Sequence, residues 1–276
     1  MSDHTRHERL IETAQLSEQL SRDDLRLVDL SAAKIHHQYH IPGAVFLDYG
    51  SITAMKRPVL GLLPEISQLE QLLGNAGISP DHFVVAYDEE GGGKAARLLW
   101  TLKTLGHKSF ALLNGGLHAW ANEERPLQSG SNNPNESCTY QAQINLEPIV
   151  ERNWIQSHLN DETVIMLDAR SHKEYLGQKA YSAKAGRIPG AVHFDWLNAI
   201  DQKNSMRLMP EADMRQILQS CGITPQKTVV NYCQTHHRSS LTWFLLEWLG
   251  YPHNKGYPGS WSDWGNRNDT PIESGN

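Results

Sequence analysis

Four short β-branched runs punctuate the chain, at Leu25–Leu30, Phe83–Tyr87, Thr163–Leu167 and Thr228–Tyr232. Between them apolar residues return at three- and four-residue intervals, as in Glu65–Leu73 and Glu211–Gln219. Short apolar runs bounded by polar residues predict strands, and the 3.6-residue period predicts amphipathic helices. Alternation of the two implies α/β units, each a mostly parallel sheet flanked by helices. In such folds the loops after the strands are the usual ligand sites.

The pattern occurs twice. "LPEISQLEQLLGNAGISPDHFVVAYD" (63–88) and "MPEADMRQILQSCGITPQKTVVNYC" (209–233) share Pro-Glu, a helical stretch, Gly-Ile-Ser/Thr-Pro and Val-Val in one order, so Val84 matches Val229. "IPGAVFLDY" (41–49) echoes "IPGAVHFDW" (188–196), and "LVDLS" (27–31) echoes "MLDAR" (166–170). Trp120 before Pro126 mirrors Trp264 before Pro271. Two copies of one fold are expected, over residues 1–128 and 146–276. The stretch between them, 129–145, includes "SGSNNPNESCTYQAQ" and lacks apolar periodicity. It reads as a linker running over the surface.

Composition narrows the classes. With 276 residues, 39% hydrophobic and 20% charged, the chain suits two globular domains. A net charge of −6 with no basic, aromatic-interleaved run argues against nucleic acid and anionic membranes as partners. No stretch is long and apolar enough for a membrane span, and the polar start "MSDHTRHERLIETAQLSEQL" lacks the apolar core of a signal peptide. Cys138, Cys221 and Cys233 are an odd number in a long chain, a poor disulfide framework, so a reducing cytoplasm is expected.

Of the three, Cys233 carries the chemistry. It ends an apolar strand, is followed by the cationic loop "QTHHR", and precedes the helical "SSLTWFLLEWLG", which Ser239 or Ser240 can cap and Gly250 can stop. A thiol at a helix N-terminus meets free N–H groups and the positive end of the helix dipole. Thiolates so placed have pKa values lowered to roughly 3.5–7.5. Arg238, with His236 and His237, adds positive charge, so Cys233 reads as a nucleophile for anionic substrates. Cys221 replaces Ala76 of the other copy at a helix end and reads as packing, and Cys138 lies in the linker. Adjacent histidines rarely reach one centre, and no CxxC or helical His pair accompanies them, so neither metal nor cofactor is expected.

These features together resemble a tandem-domain rhodanese, a bacterial sulfurtransferase, along nearly the whole chain. The likeness rests on the duplicated "IPGAV", on "LDARSHKEYLG" and above all on "CQTHHRSS" between strand and helix. The resemblance implies an active second copy and an inactive first one. Cys233 would take a sulfane sulfur from thiosulfate or a related donor as a persulfide and pass it to cyanide or a thiol. That is a double displacement with ping-pong kinetics. The substrate-binding loop would be Gln234, Thr235, His236, His237 and Arg238, with Arg238 fixing the loop or holding the sulfonate. Asp168 and Arg170 look like supporting charges or a structural ion pair. Arg187, before the second "IPGAV", can face the site or solvate a turn, and His40 replaces it in the first copy. In the first copy Asp88 stands in place of the cysteine, and with the following "EEGGGK" it leaves one positive charge, Lys94, against three negative, Asp88, Glu89 and Glu90. That copy is expected to be a packing partner.

The loop also departs from its relatives. Vertebrate-type enzymes of the family have a loop resembling Cys-Arg-Lys-Gly, and mercaptopyruvate sulfurtransferases one resembling Cys-Gly-Ser-Gly. Gln234, Thr235 and His236 argue against mercaptopyruvate and leave a thiosulfate site without the lysine. Cysteine phosphatases and arsenate reductases use similar physics but place five residues between Cys and Arg, where this loop has Gln234, Thr235, His236 and His237. A different class would use the same Cys233 as a persulfide carrier delivering sulfur to a partner protein.

Overall fold

The computed structural model describes residues 9–131 and 136–275. Residues 1–8 of the polar start and 132–135 of the expected linker therefore lie outside the described residues. In chain order the strands are β1 Leu10–Ile11, β2 Leu25–Asp29, β3 Val45–Phe46, β4 Ala54–Lys56, β5 Val59–Leu62, β6 Phe83–Tyr87, β7 Phe110–Leu113, β8 Val164–Asp168, β9 Val192–His193, β10 Ile200–Asp201, β11 Arg207–Leu208, β12 Thr228–Tyr232 and β13 Asn254–Gly256. The helices are α1 Thr13–Gln19, α2 Ala33–Gln38, α3 Ile66–Asn75, α4 Gly93–Thr104, α5 Gly116–Asn122, α6 Arg152–Ser157, α7 His172–Tyr175, α8 Glu211–Ser220, α9 Arg238–Trp248 and α10 Ser260–Trp264.

Two compact units result. The first comprises the described residues of Met1–Ile52, Pro64–Asn145 and Ile200–Leu208, the second those of Thr53–Leu63, Leu146–Ala199 and Met209–Asn276. The first is built on a parallel sheet in the order β1-β7-β6-β2-β3, the second on a parallel sheet in the order β13-β12-β8-β9. Helices flank both sheets, so their central strands are buried on two faces and need continuous apolar sequence. Val84, Val85, Ala86 and Tyr87 of β6 are buried, as are Val229, Val230, Asn231 and Tyr232 of β12. Each unit is completed by a short antiparallel hairpin drawn from the other half of the sequence: β10–β11 in the first, β4–β5 in the second.

The repeat read from the sequence persists down to single bonds. The Tyr87 hydroxyl accepts the Ile41 N–H at 3.1 Å, and the Tyr232 hydroxyl accepts that of Ile188 at 3.3 Å. Trp120 Nε1 donates to the Pro126 carbonyl at 2.8 Å, and Trp264 Nε1 to that of Pro271 at 2.7 Å. These indoles anchor the two cores, beside Leu27 and Val85 in one and Ile188 and Val230 in the other. Two of the four expected strands have the bounds read from the sequence; β2 ends at Asp29 and β8 begins at Val164 and ends at Asp168. The described end of the expected linker is laid along the first unit. Cys138 N–H donates to Gly74 O at 3.0 Å, Gln143 N–H to Leu105 O at 2.9 Å and Asn145 N–H to Thr104 O at 2.8 Å, and Tyr140 is buried.

Candidate active site

β12 is paired on both sides, to β8 and β13, and delivers Cys233 to the carboxyl end of the second sheet. The chain then turns through Gln234–His237 into α9, with His237 at the N-cap. The expected hydroxyl cap does not form. Ser239 and Ser240 lie inside the first turn, where Ser240 Oγ bonds back to the His236 carbonyl and Ser239 Oγ faces the loop. The helix closes as expected, with Gly250 in the left-handed region at φ 77°.

The loop sorts its peptide groups to two sides. Toward the sulfur point the N–H groups of Thr235 and Ser239 and the Ser239 hydroxyl, all hydrogen-bonded to Cys233 Sγ. Away from it, the N–H groups of Cys233 and His236 donate to Ser260 Oγ at 3.2 and 3.0 Å. The Cys233 and Gln234 carbonyls accept from the Trp261 and Ser262 N–H groups, each at 2.9 Å. The tight path needs left-handed backbone at His236 (φ 54°) and Ser260 (φ 48°), each costing on the order of 1 kcal/mol. That strain is held by the surrounding bonds.

Cys233 exposes none of its surface, and burial alone pushes a thiol up. The Arg238 guanidinium, the Ser239 hydroxyl and the N–H groups of Ser239 and Thr235 outweigh burial and hold it below its ordinary value. Because the Ser239 hydroxyl gives its hydrogen to sulfur, its oxygen must accept from His236 Nδ1, at 2.8 Å. A directed chain, His236 to Ser239 to Cys233, follows.

Arg238 is fixed by Glu174 on α7 through two parallel bonds, Nη1 to Oε2 at 2.7 Å and Nη2 to Oε1 at 2.9 Å. Burial would raise the Glu174 carboxyl, but Arg238 and Ser171 bring it down to about 2, while the pair keeps Arg238 firmly protonated. Glu174 is placed by a capping box: Ser171 caps α7, with its Oγ donating to Glu174 Oε2 at 2.7 Å.

The remaining expected residues divide. Gln234 Nε2 donates to Ser182 Oγ at 3.0 Å, Thr235 and His237 are half-buried, and the His237 ring lies 6.2 Å from that of Trp196. His236 is wholly buried, its ring against the Ser239 hydroxyl. Asp168 and Arg170 form a buried ion pair at 2.6 Å under the sheet end, with Tyr232 donating to Asp168 and Arg170 lying over Trp261. They brace the strand that carries the cysteine. Arg187 is turned to the C-terminal segment, where its guanidinium pairs with Glu273 and donates to the Gly275 carbonyl at 2.7 Å. Its side chain is committed there, because Arg187 N–H and O also pair with Glu273 in a two-residue bridge.

Three residues of this arrangement carried no expectation: Glu174, Ser260 and Ser262. The "SHKE" capping pattern could have found Glu174, whereas the two serines lie well beyond Cys233 in sequence, share no motif with it and reach its loop only through the fold.

In the first unit the corresponding loop holds its own anion. Asp88 Oδ1 accepts the N–H groups of Glu90 at 2.9 Å and Gly92 at 2.8 Å, and Oδ2 that of Ala95 at 2.9 Å. Burial and Glu90 raise its carboxyl, and the three N–H groups partly offset them. The cradle is filled by the chain itself.

A parallel α/β sheet that presents a buried cysteine at a helix N-terminus, with its thiol held below its ordinary value, has the geometry that nucleophilic group transfer requires. The chain belongs to the rhodanese-like domain family, which matches it twice, at residues 12–123 and 151–267. It is 43% identical over 264 residues to a thiosulfate sulfurtransferase of Azotobacter vinelandii and 41% identical over 264 residues to one of Pseudomonas aeruginosa, covering 96% of both chains in each case. It also shares its fold with an anaerobic ergothioneine biosynthesis enzyme from Chlorobium limicola, at TM-score 0.85 and 22% identity, over 100% of this chain and 72% of that one.

Proposed function

We propose that the protein is a thiosulfate sulfurtransferase with Cys233 as its sulfur carrier. The observation behind this reading is the cradle of N–H groups and one hydroxyl on Cys233 Sγ, beside Arg238. The Cys233 thiolate attacks the outer sulfur of thiosulfate. The bond between the two donor sulfurs breaks, and sulfite leaves with its electron pair. The resulting persulfide keeps the Thr235 and Ser239 donors, which stabilise negative charge on a sulfur that water does not reach. Cyanide or a thiol then attacks the terminal sulfur and returns the thiolate. Covalent storage of the sulfur divides one transfer into two displacements and gives ping-pong kinetics.

In this reading Thr235, His237 and Gln234 face the donor, Arg238 orients the loop through Glu174, and Asp168 and Arg170 support the strand. The partners are a small sulfur donor and a nucleophilic acceptor, in a cytoplasm that keeps the cysteines reduced. No described helix is long and apolar enough to cross a membrane.

Mass spectrometry after thiosulfate treatment should find one added sulfur on the Cys233 peptide. Cys233→Ser should abolish both that label and turnover, while Cys138→Ser and Cys221→Ser keep most activity. Turnover surviving in Cys233→Ser would overturn the mechanism. Sulfur loading without turnover on cyanide or small thiols would instead make the protein a carrier that delivers to another protein.

A further inference from the structure

The hairpin β4–β5 comes from the first half of the sequence yet packs within the second unit. Its strand β5 contains Gly61 in the left-handed region, at φ 73°. A Cβ at Gly61 would stand 2.1 Å from the Thr235 carbonyl oxygen and 2.9 Å from Thr235 Cβ. This is backbone seated on backbone, with no space for a single methyl group. The Thr235–His236 peptide is thereby held from both sides: its oxygen lies against Gly61, and its N–H donates to Ser260 Oγ at 3.0 Å. The preceding peptide carries the Thr235 N–H that is bonded to Cys233 Sγ. The strand is fastened in its seat by Ser262, whose Oγ accepts the Leu60 N–H at 2.9 Å while its own N–H holds the Gln234 carbonyl at 2.9 Å.

The first unit solves the same contact differently. There the glycine is on the loop: a Cβ at Gly91 would meet the ends of the Ile200 and Met206 side chains, at 2.8 and 3.1 Å. Flexible side-chain ends can give way. A carbonyl in a hydrogen-bonded loop cannot give way without turning its neighbours.

We propose that the β4–β5 hairpin is a positioning element of the sulfur-transfer site, and that Gly61 is its positioning residue. It sets the tilt of the Thr235 peptides and so the aim of the N–H donor on the sulfur. The first copy would then contribute to catalysis although its own loop is filled by Asp88. The inference rests on Cys233 as the sulfur carrier.

The test compares Gly61→Ala with Gly222→Ala, which imposes the same left-handed strain (φ 74°) where nothing lies within 4 Å. Both carry the strain of a side chain in the left-handed region, and Gly61→Ala adds the clash with the Thr235 peptide. Two readouts separate them: the pH profile of Cys233 alkylation by iodoacetamide, and kcat and KM for thiosulfate. Losing an oxyanion-type donor costs ~100-fold or more in rate, so tilting one should lower kcat about tenfold. The Gly61→Ala alkylation profile should also move to higher pH, with Gly222→Ala unchanged in both. Ser262→Ala, which unfastens Leu60 and adds no bulk, should shift both readouts in the same direction and covers the case where Gly61→Ala does not fold. Gly61→Ala matching Gly222→Ala, or Ser262→Ala matching the unsubstituted protein, would overturn the proposal. Alkylation reports on the loop alone, so failure of the transfer mechanism is seen separately, in Cys233→Ser.

Discussion

Asp88 and Cys233 sit at one position of a duplicated fold, and the difference between them is what each leaves in its N–H cradle. The aspartate brings a second charged oxygen and consumes three backbone donors. Removing it strands those donors in a buried loop. Asp88→Ala should therefore destabilise the first unit by roughly 2–4 kcal/mol, as buried donors lose their acceptor. A denaturant titration would show it, and a change under 1 kcal/mol would mean water replaces the carboxylate. Asp88→Cys, combined with Cys233→Ser, should not take up sulfur. Glu90 disfavours negative charge at that position, and the loop's cation, Lys94, is paired with Glu89 and Glu90. A sulfur label on residue 88 would show that the first copy is a single change away from activity. In the second unit, His236→Ala should raise the pH at which Cys233 is alkylated, because the Ser239 hydroxyl loses the donor that orients it. His236→Asn, which still offers an N–H, should restore part of the shift.

At the scale of elements, the four central strands and the helices α3 and α8 were legible because burial on both faces of a strand, or along one helix face, forces a periodic sequence. The junction that holds Cys233 is legible for a similar reason: strand, loop and helix are local and written in consecutive residues. Arg187 shows the limit. Its neighbours are contiguous with "IPGAV", but its partners, Glu273 and Gly275, are at the far end of the chain. No local pattern records them. A loop's cationic composition does not say which ring turns inward; His236, at a left-handed φ of 54°, is the buried one. Glu174 belongs between these cases, since the capping box is local while its pairing with Arg238 is not. Its carboxyl is lowered to about 2, below the ordinary value, so its stabilising effect is complete above about pH 4.5 and is lost as pH falls toward 2. A buried, doubly bonded carboxylate with that shift contributes at most about 3 kcal/mol. Glu174→Gln should lower stability at pH 7 and flatten its decline between pH 4.5 and 2, as read from urea midpoints across that range. Parallel declines in the two proteins would show that another group governs the acid limb.

For the molecule as a whole, the exchange of hairpins matters most. Residues 53–63 complete the second unit and residues 200–208 the first. Leu208 N–H donates to Asn114 Oδ1 at 2.8 Å, and Arg207 pairs with Glu123, just as Leu60 is tied to Ser262 in the other unit. A protease site introduced after Ser131 should yield two fragments that stay together in gel filtration without denaturant and separate in urea. Fragments parting under native conditions would show that the hairpins contribute little to cohesion. The same exchange bears on how such a gene can change. Recombination that replaces only its second half keeps the old residues 53–63 and sets them against a foreign Cys233 loop, while importing a foreign hairpin for the resident first half. A crossover in the middle of the gene thus disturbs both units at once. The two halves repeat one sequence pattern, yet each unit is completed by a piece of the other half.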